Sequence, residues 1–127
     1  MNVLVDSSVW VDFFRGKGSA DPLELLIEEN LVVTNDLILT ELIPPLHLRK
    51  QNRLIALLKE VERRPIIPNW DDLVQMQITC LKNGINGVGI PDLIIAQNAI
   101  QHDLQLLSRD KHFDLLCEHI PLSIYGD

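Results

Sequence analysis

Residues 1–14 read MNVLVDSSVWVDFF. The run Val3-Leu4-Val5 is apolar, with two β-branched valines, as a buried strand is, and it ends on a carboxylate, Asp6. An aromatic segment follows at once, with Trp10, Phe13 and Phe14 at helical spacing. Outward from this stretch the same alternation recurs. Asn2 to Val5, Leu31 to Thr34, Pro65 to Ile67, Leu104 to Ser108 and Ile120 to Ile124 read as strands. Helical patterns separate them, over Asp36 to His47, Arg49 to Arg63, Trp70 to Asn83 and Pro91 to Asp103. An earlier one lies in DPLELLIEEN, where Asp21 takes the cap and Pro22 the first turn. Strands alternating with helices predict an α/β fold with a mostly parallel sheet covered on both faces.

The chain has 127 residues and no repeat, low-complexity tract or linker, which predicts one domain over 1–127. Hydrophobic residues make up 46% of it, enough for a single sizeable core and too many for a disordered chain. The net charge is -7, with 18 acidic against 11 basic residues. That sign excludes wrapping nucleic acid by bulk attraction, so a polyanionic substrate would be held locally, by metal or by a few cations. Cys80 and Cys117 stand far apart without zinc spacing and read as free thiols of a reducing compartment. With no basic n-region and no long apolar stretch at the start, the expected setting is soluble and cytoplasmic.

In open parallel sheets ligands sit beyond the carboxyl ends of the strands. Asp6 ends the first strand, and Asp110 follows the strand Leu104 to Ser108 in LQLLSRDKHF. An Asp after a strand is often only a helix cap or a turn former. In TNDLILTELIPPL, helical spacing sets Glu41 on the side of Leu37, Ile38 and Leu42. A buried unpaired carboxylate costs several kcal/mol, so it protonates, pairs or coordinates a metal. In GIPDLIIAQNAI, Asp92 stands in the first turn after Pro91, on the side continued by Ile95, Ala96 and Ala99. Its plainer explanation is an acid facing the helix dipole, worth ~0.3–1 kcal/mol. Together the four acids point to one cleft in which carboxylates repel unless a cation holds them. Hard oxygen ligands select Mg²⁺ or Mn²⁺, ions suited to phosphate-ester hydrolysis.

The order VLVDSSVWVDFF, LTEL, IPDLIIAQNAI, LLSRDKHFDLL resembles the PIN-domain ribonucleases, and among them the VapC-type toxins of VapBC toxin–antitoxin pairs. The resemblance runs over nearly the whole chain. It implies a three-layer α/β/α sandwich, Mg²⁺- or Mn²⁺-dependent endoribonuclease activity on RNA, and products with a 5′-phosphate and a 3′-hydroxyl. It also implies a homodimer and inhibition by a small antitoxin with basic residues reaching the active site. By motif, Asp6, Glu41, Asp92 and Asp110 are the metal-binding and catalytic quartet. Ser8 matches a small polar position and could orient Asp6 or cap the helix. Many relatives carry a further acid where this chain has His112, which reads instead as a surface imidazole.

Other features have plainer roles beside the functional ones. Arg15, Lys17, Arg109 and Lys111 could contact RNA phosphates or only confer solubility. Arg49, Lys50 and Arg53 read as a solvated helix face, and His47, His102 and His119 show no ligand spacing. NGINGVGI lacks the Lys-Ser or Lys-Thr of a phosphate-binding loop and reads as a turn before the Asp92 helix. Trp10, Phe13 and Phe14 read as core, with part of the stripe open to a partner helix. The competing functions are an Asp-nucleophile phosphatase, which needs an acid where Ser8 stands, and a non-catalytic module of the same fold.

Overall fold

The computed structural model describes residues 1–16 and 22–126. Its first half runs β1 (Val3–Val5), α1 (Ser7–Phe14), α2 (Pro22–Glu28), β2 (Val32–Thr34), α3 (Asp36–Leu48) and α4 (Asn52–Glu60). Its second half runs β3 (Glu62–Arg63), α5 (Trp70–Lys82), α6 (Ile90–Gln101), β4 (Gln105–Leu107), α7 (His112–Leu116) and β5 (Ser123–Ile124). Lys17 and the expected cap Asp21 lie outside the described residues.

All strand pairs are parallel, in the order β3-β2-β1-β4-β5. β1 is central and buried at each position, with Leu4 opposite Val33 on one side and Leu106 on the other. The chain walks from β1 out to β3, then crosses back to β4 and β5. Right-handed crossovers therefore put α1 to α4 on one face and α5 to α7 on the other, giving the three layers expected. α1 packs on α3 and α3 on α4, while α5 packs on α6. Leu4, Val33, Ile38, Leu93, Leu106 and Phe113 anchor the two cores at 0–1% exposure. No helix among the described residues is long and apolar enough to cross a membrane.

Two expected elements differ. α4 spans Asn52–Glu60 rather than Arg49 to Arg63, because Val61 turns extended and leads into β3. The segment Pro65 to Ile67 is not a strand. Arg64 donates the last bond to this side of the sheet, N–H to the Thr34 carbonyl at 2.8 Å, and the prolines at 65 and 68 have no N–H to extend the ladder. Side chains of α6 take over: Asn98 Nδ2 and His102 Nε2 reach the Pro65 carbonyl at 3.0 and 2.9 Å, and Gln101 Nε2 donates to the Ile67 carbonyl at 2.9 Å.

The same helix face fixes α3 and α5. Asn35 caps α3, accepting from the Ile38 N–H at 2.9 Å, and donates to Asn98 Oδ1 at 3.0 Å. Gln97 exchanges two bonds with the Asn69 backbone and donates to Asp72 Oδ2 at 2.8 Å. Buried polar groups need such partners, so this ladder locks the start of α3 against α6. Replacing Asn98 by Ala strips the buried Asn35 amide of its acceptor. Urea unfolding is expected to show a loss of ~1–3 kcal/mol, whereas Gln101→Ala, whose exposed partner can turn to water, loses less than about 1 kcal/mol.

Candidate active site

The order of strands changes direction between β1 and β4, which opens a crevice at their carboxyl ends. Asp6 leaves β1 into it, tied down by its N–H donating to the Leu107 carbonyl at 2.9 Å. It occupies the cap position of α1 in extended conformation, yet its side chain makes no cap bond. Instead Oδ2 accepts from Ser8 Oγ at 2.9 Å and from Ser108 Oγ at 2.8 Å. Ser8 Oγ in turn accepts from the Arg109 N–H at 3.1 Å, and Ser108 Oγ from the Asp110 N–H at 3.0 Å. Only 6% of Asp6 is exposed, so these donors replace the water that an ionised carboxylate would otherwise hold.

Asp110, half-buried past β4, accepts on Oδ1 from the His112 N–H at 2.9 Å, with His112 Nδ1 at 2.8 Å from the same oxygen. His112 is therefore more than the surface imidazole expected: its side chain stays 37% exposed, but its ring is bonded to Asp110. It is half-buried and packed beside Gly87, where a Cβ would lie 3.2 Å from Nε2. Gly87 also has φ +82°, so the turn before α6 needs glycine there both for conformation and for space.

Asp92 stands in the first turn of α6, with Ile95, Ala96 and Ala99 buried behind it. Its Oδ2 accepts from the Gly89 N–H at 3.2 Å, so the helix-start role is real. Glu41 sits at the rim of its apolar face: Ile38 and Leu42 are buried and Leu37 half-buried, while Glu41 itself is exposed. Ser7 Oγ lies 3.5 Å from Oε1. On each of the four acids one oxygen thus faces a donor of this chain, and the second has none among the described residues.

The four share one field. Although Glu41 as a whole is exposed, partial burial of its carboxyl beside the crevice pushes it above its ordinary value, the charges of Asp6 and Asp92 push further, and the Ser7 hydroxyl opposes them. Burial also raises Asp92, where the Gly89 amide opposes it, Asp110 and Asp6 add to it, and His112 offsets part. Among the described residues no three acids, histidines or cysteines converge tightly enough to enclose a cation. The donor set nevertheless fits a hard divalent ion in its chemistry: unclaimed carboxylate oxygens that repel one another and that no arginine or lysine among the described residues pairs with.

Sequence reasoning attached no role to Ser108. A signal was present, since Asp6-Ser7-Ser8 and Ser108-Arg109-Asp110 each set a serine two residues from an acid, in mirrored order. Arg109 Nε donates to Asp12 Oδ2 at 3.3 Å, so its guanidinium is occupied at the protein surface, while Lys111 is exposed beside Asp110. Cys80 is buried and Cys117 half-buried, and the two form no disulfide with each other.

The sequence profile of the family described as PIN domain matches residues 3–118. No curated protein matches the chain. Among solved structures it is similar to VapBC2 from Rickettsia felis bound to a promoter DNA fragment, at 20% identity and TM-score 0.72, over 98% of this chain and 96% of that one. DNA-bound VapBC from Salmonella typhimurium gives 16% identity and TM-score 0.73 over the same shares. VapC20 of Mycobacterium tuberculosis, a toxin that cleaves the sarcin–ricin loop, gives 16% and 0.63 over 90% and 94%.

The raised Glu41 value fixes a pH dependence. The folded chain keeps a proton there that the unfolded chain releases near pH ~4, so this contribution favours folding in acid. It is lost as pH rises through the raised value, and repulsion acts in full at neutral pH. Metal-free Glu41→Gln is therefore expected to melt above wild type at pH 7, with the gap closing as the buffer is taken below the ordinary carboxylate range. A gap that widens in acid would contradict the shared field.

Proposed function

Since the chain belongs to the PIN domain family, we propose that its acidic crevice is the active site of a divalent-metal-dependent endoribonuclease, the toxin of a toxin–antitoxin pair. The observation that carries this reading is the set of four carboxylates, from β1, α3, α6 and the loop after β4, each with one oxygen left open to the crevice. The structural similarity to toxins, one of which cleaves an RNA loop, supports RNA as the substrate.

Asp6, Glu41, Asp92 and Asp110 would hold Mg²⁺ or Mn²⁺. Such ions supply charge neutralisation at the phosphoryl oxygens and a more acidic attacking water. The chain supplies the rest. Ser8 and Ser108 fix the Asp6 carboxylate, and the His112 amide and ring fix Asp110, so two ligands are aimed by rigid elements before substrate arrives. Burial and crowding raise Glu41 and Asp92, so protons compete with the cation for them and affinity for the ion falls in acid. Hydrolysis leaves a 5′-phosphate and a 3′-hydroxyl. Ser8 speaks against the Asp-nucleophile phosphatase, because at the place of that enzyme's second acid it spends its proton on Asp6.

Assembly follows from two exposed apolar surfaces. A cavity of about 570 Å³ between α1, α2 and α4 is lined by Trp10, Phe13, Phe14, Ile27, Leu57 and Val61, among others. It suits the apolar face of an antitoxin helix, from which a basic side chain extends to the crevice. On α5, Trp70, Val74, Ile78 and Leu81 form an exposed stripe suited to a second copy of the chain.

With structured RNA and Mg²⁺ or Mn²⁺, wild type is expected to cleave, EDTA to stop it, and Asp6→Asn or Asp110→Asn to lower kcat/KM at least on the order of 100-fold. Undiminished cleavage in EDTA refutes the metal role. On a sizing column the chain is expected to elute as a dimer and Val74→Asp as a monomer. Co-expressed with its antitoxin it is expected to form a silent complex, which Leu57→Asp releases; an intact Leu57→Asp complex would move the antitoxin off this cavity.

A further inference from the structure

We propose that a second cavity, between α1, α3 and α4, seats the nucleotide next to the scissile phosphate, with Arg15 and Arg49 gripping its backbone. This rests on the ribonuclease reading and extends it from where RNA is cut to where RNA is held. The cavity measures about 430 Å³, and Glu41 of the acidic crevice is part of its wall. That volume lies in the ~300–1,000 Å³ range of small-ligand pockets, far more than a lone ion fills.

Its lining divides by chemistry. Phe14, Leu42, Pro45 and Leu54 give an apolar wall on which a base can lie, Gln51 brings an amide that can meet a base edge, and the two arginines bring the positive charge. The state of those arginines is the telling feature. The chain carries a net charge of -7, and Arg63, Arg64 and Arg109 are each paired, with Asp36, Glu62 and Asp12. Arg15, Arg49 and Arg53 have no carboxylate partner among the described residues, and two of these three, Arg15 and Arg49, line this one cavity.

Each also closes a helix, Arg15 at the end of α1 and Arg49 at the end of α3. A cation there suits the helix dipole, which accounts for charge at each position but not for two guanidinium groups on one cavity. A guanidinium fork matches a phosphate in two hydrogen bonds. An acidic protein needs local cations to hold RNA against its own field, and these two stand beside the crevice where the strand must pass. A basic side chain of a protein partner would suit Glu41 but meet repulsion from both arginines, so the charge pattern favours an anionic occupant.

The test uses the full chain and a short fluorescent single-stranded RNA of mixed sequence. Anisotropy titrations in EDTA over a series of salt concentrations read binding without cleavage, and digestion with Mg²⁺ or Mn²⁺ reads turnover. Arg15→Gln and Arg49→Gln are each expected to reduce the slope of log K against log salt by about 0.7, the increment of one phosphate contact on a single strand. Each should raise KM severalfold with kcat nearly unchanged, the signature of lost uniform binding. Arg53→Gln, an arginine outside the cavity lining, should match wild type, and melting curves confirm that all three fold. If wild type cleaves while both cavity variants keep its slope and KM, the seat is wrong and the ribonuclease reading stands. If wild type cleaves with neither metal, that reading fails and the seat with it. Unchanged RNA binding combined with loss of the antitoxin complex would assign the cavity to an acidic protein segment and overturn the proposal.

Discussion

The parallel pairing of β1 with β4 is the constraint on which the crevice depends. These strands are a hundred residues apart in sequence, and they meet in register with Val5 opposite Leu107, closed by the Asp6 N–H on the Leu107 carbonyl. To either side of this seam the crossovers run in opposite directions, so the loops leaving β1 and β4 diverge and a gap opens between them. Asp6 and Asp110 are at its floor because one directly follows β1 and the other lies three residues past β4. The buried β1 and the polar ladder from Asn35 through Asn98 then hold α3 and α6 at fixed positions, which brings Glu41 and Asp92 to the same gap. A slip of one residue in the β1–β4 register would send alternate side chains to opposite faces and part the acids.

Much of this was legible from residue pattern. Strand β1 announces itself by three apolar residues ending on an acid, and Asp92 by its place after Pro91 on a face of Ile95, Ala96 and Ala99. What stayed hidden is what side chains do across long sequence separations. Pro65 to Ile67 looks like a strand because its composition is apolar, while its actual partners are amides and an imidazole on α6, a relation that no local period encodes. His112 reads as a surface group because nothing in the sequence places Asp110 and Gly87 around it. Arg49 reads as one of a solvated trio because a helical wheel shows which way a residue faces, not that α1 and α4 wall a cavity there.

The crevice is a region where the chain works against its own stability. Four carboxylates share it, two of them raised by burial and by their neighbours, and among the described residues no arginine or lysine forms an ion pair with any of them. Here relief comes only as hydrogen bonds to one oxygen of each acid, from hydroxyls, amides and an imidazole, while the other oxygen is left open. Such an arrangement gains stability from any cation that binds the folded chain and not the unfolded one.

The bonds around Asp6 also have a direction. A serine hydroxyl owns one proton. Ser8 and Ser108 each accept from a backbone amide, of Arg109 and Asp110, and each give their proton to Asp6. With both protons committed, the 3.4 Å approach of the two hydroxyls to each other leaves two lone pairs facing. Reversing either rotor would turn a proton from the acid toward an amide N–H or the other serine and leave Asp6 with one donor instead of two, so the favoured direction of both chains of bonds runs from backbone to acid. Two consecutive peptide units thereby polarise Asp6 through one serine each.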